Sequence, residues 1–146
     1  MIFVSGGVRS GKSTFAERLA ARRANSEKGT LHYVATGRAV DAEMAQRIQH
    51  HRRGREASGA GWKTVECSSG LEQIAHKFHE NSVILIDCLT TWLSNELFTR
   101  DCEPLDASVQ EKVFETVVAA AKEFQRVASL VIVVSNELLG EPFIHD

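Results

Sequence analysis

The sequence lacks a long apolar run, an excess of charge and a paired cysteine motif. No apolar stretch approaches the roughly 18 residues that a membrane-spanning helix needs, so we expect no membrane span. Seventeen basic and nineteen acidic residues give a net charge of −2, which offers no general electrostatic basis for binding nucleic acid or an anionic membrane. The three cysteines form no Cys-x-x-Cys pair, and the first residues do not resemble a signal peptide. These absences predict a reduced, cytoplasmic protein.

An internal repeat, a low-complexity tract and a second domain are also missing from the 146 residues. The predicted strands are residues 1–5, 31–35, 62–66 (at an edge of the sheet), 83–86 and 130–134. The predicted helices are residues 13–24, 40–56, 70–79, 89–99 and 106–127. Most of the strands are continuous apolar runs, which is typical of strands buried on both faces. We therefore predict one α/β domain, with a mostly parallel sheet of the P-loop type and helices on both faces.

Residues 6–13 match the phosphate-binding pattern G-x-x-x-x-G-K-[ST] without a mismatch. The loop consists of Gly6, Gly7, Val8, Arg9, Ser10, Gly11, Lys12 and Ser13. Glycines let successive backbone N–H groups turn inward around a phosphate, and the helix that follows directs its positive end at the same anion. The alternative is a glycine turn that carries Lys-Ser by chance, but that would not require the strand before the loop and the helix after it. The pattern predicts binding of ATP or GTP, with Lys12 on the β- and γ-phosphates.

Asp87 ends the apolar strand at residues 83–86, where a carboxylate can reach the mouth of the phosphate loop. Together with the hydroxyl of Ser13, it is the predicted holder of Mg²⁺. The alternative is that Asp87 is only a turn residue at the end of a strand, which is a common position for aspartate. The neighbouring Cys88 is expected to be a small buried side chain, and not a nucleophile.

The segment 47–55 combines two histidines with a cluster of arginines. One interpretation is a solvated helix face, and the other is a surface that binds an anion. If Met44 and Ile48 mark the buried side of this helix, His51 lies on the same stripe and His50 points about 140° away from its centre. His51 is then the structural histidine and His50 the one free to meet a ligand. Arginines around an imidazole favour its neutral form, which can attack phosphorus and give covalent catalysis.

Other aromatic and histidine side chains are expected to be structural. Trp62 and Trp92 are predicted to pack in the core or at an edge. His76 and His79 have a spacing that could share a metal ion, but no third ligand is evident in the sequence.

Six segments resemble one known family. They are the phosphate loop at 6–13, Y-V-A-T at 33–36, E-M-A-Q-R-I-Q-H-H at 43–51, W-K-T-V-E at 62–66, L-I-D-C-L-T-T-W-L-S-N at 85–95 and V-S-N-E at 134–137. The family is that of the bifunctional adenosylcobinamide kinases and adenosylcobinamide-phosphate guanylyltransferases of cobalamin biosynthesis. The loop alone is common to all P-loop enzymes. The helix with R-I-Q-H-H, combined with W-x-T-x-E, is far more specific.

The resemblance implies two activities and a set of site residues. The first activity is phosphorylation of the aminopropanol hydroxyl of adenosylcobinamide, and the second is transfer of GMP from GTP to that phosphate through a GMP-histidine intermediate. It places the GMP on His50 and catalysis also on Lys12, with Mg²⁺ as cofactor, a corrinoid as substrate and a homotrimer as the assembly. It further implies nucleotide-binding positions, besides the loop, at Val34, Ala35, Thr36, His51, Arg52, Arg53, Gly54, Glu66 and Asp87.

The last nine residues, 138–146, depart from the family pattern. Where the family has V-G-x-G, a further helix, more strand and a final lysine, the sequence reads L-L-G-E-P-F-I-H-D. We therefore expect a single domain over residues 1–146 that lacks the family's C-terminal segment. Two other functions stay open. The chain is either a simple P-loop kinase for another small hydroxyl substrate, with His50 in a basic lid, or a nucleotide-binding protein without turnover.

Overall fold

A five-stranded sheet forms the centre of the computed structural model, which describes residues 1–7, 9–98 and 106–137. The strands are β1 Ile2–Gly6, β2 Thr30–Ala35, β3 Lys63–Glu66, β4 Ser82–Asp87 and β5 Leu130–Asn136. Their order across the sheet is β1-β5-β4-β2-β3, and each neighbouring pair is parallel. The predicted α/β fold with a parallel sheet is confirmed, as is the edge position of the strand around residues 62–66.

Helices connect the strands close to the predicted positions. They are α1 Lys12–Glu27, α2 Ala42–Ala57, the 3₁₀ helix Leu71–Lys77, α3 Leu89–Phe98 and α4 Ala107–Val127. The predicted end of the first helix at residue 24 is wrong, because α1 continues to Glu27. It ends at Lys28, which takes the left-handed conformation at φ 53° that closes many helices. Across the described ranges, 1–7, 9–98 and 106–137, we find no helix with both the length and the apolar character to cross a bilayer.

Two hydrophobic cores cover the two faces of the sheet. In β4, Ile84 and Ile86 point to the face that α3, α4 and the 3₁₀ helix cover, whereas Val83 and Leu85 point to the face that α1 covers. Because successive side chains of a strand alternate between faces, a strand buried on both sides reads as a continuous apolar run. This explains why the apolar runs predicted the strands correctly.

The two tryptophans are packing residues, as predicted. Trp92 is buried in the core beneath α4, and its indole N–H donates to Glu96 Oε1 at 3.2 Å. Trp62 is half-buried and meets the ring of Tyr33 edge-on, with 5.9 Å between the ring centroids. Both rings therefore pack against the hydrophobic cores.

The carboxyl ends of all five strands lie at one edge of the sheet because the strands are parallel. Backbone hydrogen bonds carry this alignment into the loops. Thr36 N donates to Asp87 O at 3.1 Å, and Glu137 N donates to Gly6 O at 2.9 Å. In open α/β sheets, ligands bind at this edge. The phosphate loop, the end of β4 and the V-S-N-E segment at the end of β5 therefore meet at one place.

Candidate active site

The phosphate loop joins β1 to α1 in the way that its sequence predicts. Gly11 immediately precedes the helix with φ +84°, a left-handed conformation that favours glycine. A Cβ on Gly6 would lie 2.8 Å from Ser10 Oγ, so a side chain there would require Ser10 to move. Val8, which was predicted as part of the loop, lies outside the described residues.

The start of α1 has no acidic residue in its own first turn. Among the described residues, no side chain caps the helix. The positive end of the helix and its unpaired N–H groups are therefore available to a phosphate. Lys12 lies across the loop, where its Nζ donates to Gly7 O at 3.0 Å. The ammonium group is thus held over the concave side of the loop that the pattern reserves for phosphates.

Asp87 and Ser13 come together at the mouth of the loop, as predicted. Ser13 Oγ donates to Asp87 Oδ2 at 3.3 Å. Two neighbouring ligands of an octahedral Mg²⁺ lie about 3 Å apart, and Mg²⁺ prefers hydroxyl and carboxylate oxygens of this kind. The pair therefore fits Mg²⁺. In the parts of the chain that the structure describes, no group of three or more His, Cys, Asp or Glu side chains is placed to hold a metal ion.

Tyr33 is a member of the site that the sequence analysis did not identify. It is 5 % exposed, and its hydroxyl donates to Asp87 Oδ2 at 2.5 Å. Burial, with a further contribution from the Asp87 carboxylate, holds the pKa of Tyr33 well above its ordinary value, so the hydroxyl stays a donor. The sequence held two signals for it: the Y-V-A-T segment at 33–36, and its place at the carboxyl half of a buried strand, where a tyrosine needs a partner for its hydroxyl.

The three predicted nucleotide-binding residues at the end of β2 do not all point the same way, because successive side chains of a strand alternate between its two faces. Val34 is fully buried in the core, and Thr36 is fully buried with its hydroxyl accepting from Cys88 N at 2.9 Å. Only Ala35 lines the cavity at the strand ends. The side chains of Val34 and Thr36 therefore do not line this cavity, and their contact with a nucleotide stays a prediction. Thr36 instead fixes the chain that follows Asp87.

Helix α2 carries the two histidines above this edge of the sheet. It begins after Asp41, whose carboxylate accepts from Met44 N at 2.7 Å. His50 and His51 are both exposed, and their ring centroids lie 6.0 Å apart. The expectation that His51 turns toward the core is therefore wrong with respect to burial. Its stripe faces the sheet edge, but a cavity separates the helix from the strands at that point.

The buried position on this stripe belongs to Arg55. It is 4 % exposed, and its guanidinium carbon lies 3.5 Å from the centroid of the Tyr33 ring. Its charge also acts on Glu17. Burial raises the pKa of Glu17, the charge of Arg55 opposes that rise, and the charge of Asp87 adds to it. The sequence contained a signal for Arg55, because it follows Ile48 by two helical turns. Glu17 follows Ser13 by one turn of α1, on the same face.

Two concave regions flank α2. An open cleft of about 790 Å³ lies between the helix and the loop, and its lining includes Arg9, Arg47, His50, His51 and Arg53. A smaller cavity of about 250 Å³ lies between the helix and the strand ends. Its lining includes Tyr33, Ala35, Ile48, His51, Arg55, Glu66 and Asp87. His51 thus lines both regions, whereas His50 faces only the cleft.

The remaining predicted residues of α2 lie on its outer side. Arg52 and Glu66 form an exposed ion pair, with 3.7 Å between Nη1 and Oε1. Gly54 is exposed and lines neither region. Glu66 reaches the smaller cavity beside Asp87, as its predicted role requires.

A parallel sheet, a glycine-rich loop leading into a helix, and a hydroxyl–carboxylate pair at the loop mouth together define a P-loop nucleotide-binding protein. Comparison with known proteins specifies the family. Residues 2–141 match the model of the CobU family, described as cobinamide kinase / cobinamide phosphate guanyltransferase. The chain belongs to this family, whose two named activities both make its members transferases. The family predicted from the motifs is thereby confirmed.

Individual relatives agree with this assignment. The bifunctional adenosylcobalamin biosynthesis protein CobU of Escherichia coli (strain K12) is 36 % identical over 147 residues, which cover 94 % of the chain and 75 % of that protein. The protein of the same name from Salmonella typhimurium is 37 % identical with the same coverage. The bifunctional adenosylcobalamin biosynthesis protein CobP of Pseudomonas aeruginosa is 38 % identical over 136 residues, covering 92 % of the chain and 69 % of that protein.

Proposed function

We propose that the chain carries out both family reactions. It phosphorylates the aminopropanol hydroxyl of adenosylcobinamide with ATP or GTP, and it transfers GMP from GTP to the resulting phosphate through a covalent GMP on His50. The observation that carries the proposal is the open cleft that His50 and Arg9 both line. A triphosphate held by the loop has a nucleophilic imidazole on the facing wall of the same cleft.

The phosphate loop serves the kinase step. The N–H groups at the start of α1 bind phosphate oxygens, and Lys12 neutralises charge on the β- and γ-phosphates. Ser13 and Asp87 would hold Mg²⁺, which supplies charge neutralisation on the phosphates when it is bound. The substrate hydroxyl oxygen forms a bond to the γ-phosphorus and loses its proton to solvent. The bond from that phosphorus to the leaving oxygen breaks, and the nucleoside diphosphate departs.

His50 serves the guanylyl step. An imidazole nitrogen forms a bond to the α-phosphorus of GTP, and the bond from that phosphorus to the bridging oxygen breaks, which releases pyrophosphate. A phosphate oxygen of adenosylcobinamide phosphate then forms a bond to the same phosphorus, and the nitrogen–phosphorus bond breaks. Arg9 and Arg53 line the cleft beside His50, where their charges can stabilise the phosphate oxygens during both transfers.

The test is mass spectrometry of the protein after incubation with GTP and Mg²⁺. We expect one covalent GMP on His50 that mild acid releases and base does not, because a phosphorus–nitrogen bond breaks when its nitrogen is protonated. His50→Ala should lose the label and guanylyl transfer but keep kinase activity, since transfer through the loop needs no covalent intermediate. The matched control is His51→Ala, which should keep the label and bind GTP more weakly.

Each other outcome selects a different function. Label that persists in His50→Ala and disappears in His51→Ala would move the intermediate to His51. A parent protein that phosphorylates cobinamide but never carries GMP would be a simple kinase. A protein that binds nucleotide but has neither activity would be a nucleotide-binding protein without turnover.

We also propose that this single nucleotide-binding domain assembles as a homotrimer in the cytoplasm. Family membership supports the assembly, and the free thiols of Cys67 and Cys88 support a reducing compartment. Light scattering on the purified protein would measure the assembly. A mass equal to one or two chains would contradict the trimer.

A further inference from the structure

Helix α2 is anchored to the rest of the fold through one residue. Of its sixteen residues, only Arg55 is buried. Met44 and Ile48 are half-buried, and the pair between Arg52 and Glu66 is exposed, so it contributes little to stability. The position of the helix, and with it that of His50, therefore depends mainly on what Arg55 contacts.

The contact that Arg55 makes is the ring of Tyr33. A guanidinium carbon at 3.5 Å from the ring centroid is within the range of a cation–π interaction, which is strongest where water is excluded. Both side chains are at least nine-tenths buried. The far end of the same ring donates its hydroxyl to Asp87 Oδ2 at 2.5 Å. Arg55, Tyr33 and Asp87 thus form a continuous chain from α2 to the end of β4.

The arrangement is not what packing alone would select. Arg55 Nε is buried and has no hydrogen-bond partner among the described residues. A buried, unsatisfied donor destabilises a fold, and a native example calls for an explanation. Glu17 lies close enough to interact with the guanidinium charge, which offsets part of the desolvation. An apolar side chain at position 55 would cover Tyr33 without this penalty.

We propose that Arg55 is a positioning residue that links the two halves of the active site. Stacked on Tyr33, it holds the Tyr33 hydroxyl against Asp87 and, from its other end, holds α2 and His50 over the cleft. The proposal rests on the proposed function, because it assumes that Asp87 holds Mg²⁺ and that His50 accepts GMP. It makes the metal carboxylate and the guanylylated histidine dependent on one side chain.

The first experiment measures binding, not turnover. The dissociation constant of a non-hydrolysable GTP analogue is determined by calorimetry with and without Mg²⁺. The value without Mg²⁺ divided by the value with Mg²⁺ reports the metal contribution. Losing a hydrogen bond to an ionised carboxylate should reduce this ratio about tenfold in Tyr33→Phe. Arg55→Met and Arg55→Lys should reduce it as well, because neither side chain offers a planar group to stack on Tyr33. Binding without Mg²⁺ should stay close to the parent in Tyr33→Phe. In the Arg55 variants the ratio separates the metal contribution from any weaker binding that follows when α2 moves.

The double variant Tyr33→Phe/Arg55→Met decides whether Arg55 acts through Tyr33. If it does, the double variant has the same ratio as Tyr33→Phe alone. The matched control is Arg126→Met, which removes an arginine whose pair with Glu123 is exposed. Arg126 lies near the opposite edge of the sheet, since Ser129 N donates to Ser82 O at the start of β4. The control should leave the ratio unchanged.

The second experiment separates the two ends of the chain of contacts. At saturating Mg²⁺, Tyr33→Phe should label His50 with GMP at nearly the parental rate, because a phenyl ring still accepts the guanidinium. Arg55→Met should label at least about ten times more slowly, since α2 loses its anchor. Arg55→Lys keeps the charge and the aliphatic part of the side chain, so its labelling rate should lie between those of Tyr33→Phe and Arg55→Met.

Several results would overturn the proposal. One is a parental Mg²⁺ ratio in both Arg55 variants, and another is a double variant whose loss equals the product of the two single losses. If Arg55→Met does not fold, Arg55→Lys and Tyr33→Phe carry the same test. A parent whose binding does not respond to Mg²⁺, or that never carries GMP, would instead refute the roles of Asp87 or His50. Failure of the proposed function is therefore distinguishable from failure of the role of Arg55.

Discussion

Acidification should destabilise the fold through one buried histidine, His32. It lies on β2 and is 5 % exposed, with its Nε2 3.3 Å from Ser82 Oγ and its ring edge-on to Phe78 at 5.1 Å. Burial first, and then the charges of Lys63 on β3 and of His79 after the 3₁₀ helix, lower the pKa of His32 from 6.5 to about 4. The folded protein therefore keeps this imidazole neutral at a pH where the unfolded chain protonates it.

The sign and size of the effect follow from proton linkage. A lowered pKa means that the unfolded state binds more protons between pH 6.5 and about 4, so the free energy of unfolding falls as the pH falls through that window. Each pH unit of pKa difference corresponds to about 1.4 kcal/mol, which sets an upper limit of about 3 kcal/mol for the loss at pH 4. Above pH 6.5 the contribution is complete and no longer depends on pH.

The assay is urea unfolding of the parent, His32→Gln and His76→Gln at half-unit steps from pH 7.5 to 4. His76 is exposed and provides the matched control. The slope of unfolding free energy against pH should be smaller in His32→Gln than in the other two proteins, whatever stability the substitution itself removes. Equal slopes in all three, or a His32 ring that titrates near pH 6.5 in the folded protein by nuclear magnetic resonance, would refute the reasoning.

Three further predictions concern the loop, the metal carboxylate and the core. Lys12→Ala should abolish kinase activity and weaken triphosphate binding without changing the circular dichroism spectrum. The control is Lys122→Ala, at an exposed position. Unchanged activity in Lys12→Ala, or the same loss in the control, would contradict the loop assignment. Asp87→Asn should raise the Mg²⁺ concentration needed for half-maximal kinase activity, and an unchanged Mg²⁺ titration would make it only a turn residue. Phe124→Ala should lower the unfolding free energy by about 3–5 kcal/mol in urea, far more than Phe114→Ala on the exposed side of α4.

The parts of the fold that local chemistry decides were visible in the sequence. Continuous apolar runs predicted the buried strands, and the glycines at 6 and 11 with Lys12 predicted the loop and the helix after it. These features depend on backbone freedom and on the spacing of apolar residues within one segment, so they do not require knowledge of distant contacts. The helix end near residue 24 was misplaced, because Asn25 and Ser26 continue the helix and Lys28 adopts the closing conformation.

The histidine helix shows where local reasoning ended. Its period placed Met44, Ile48 and His51 on one stripe, which Arg55 also shares, but the period does not reveal what faces the stripe. The structure puts a cavity opposite His51 and the Tyr33 ring opposite Arg55, so the histidine is exposed and the arginine is buried. The expected burial of His51 was therefore wrong, and the burial of Arg55 was not predicted.

The sequence by itself determined the class of fold, the phosphate loop, the family and the pairing of Ser13 with Asp87. Only the tertiary structure decided that Tyr33 and Arg55 complete the site and that Val34 and Thr36 do not line the cavity at the strand ends. The reason is physical: which side chains meet at the strand ends depends on β4 lying between β2 and β5 and on how far α2 stands above them. Those are relations between segments far apart in the chain, and no pattern within a single segment encodes them.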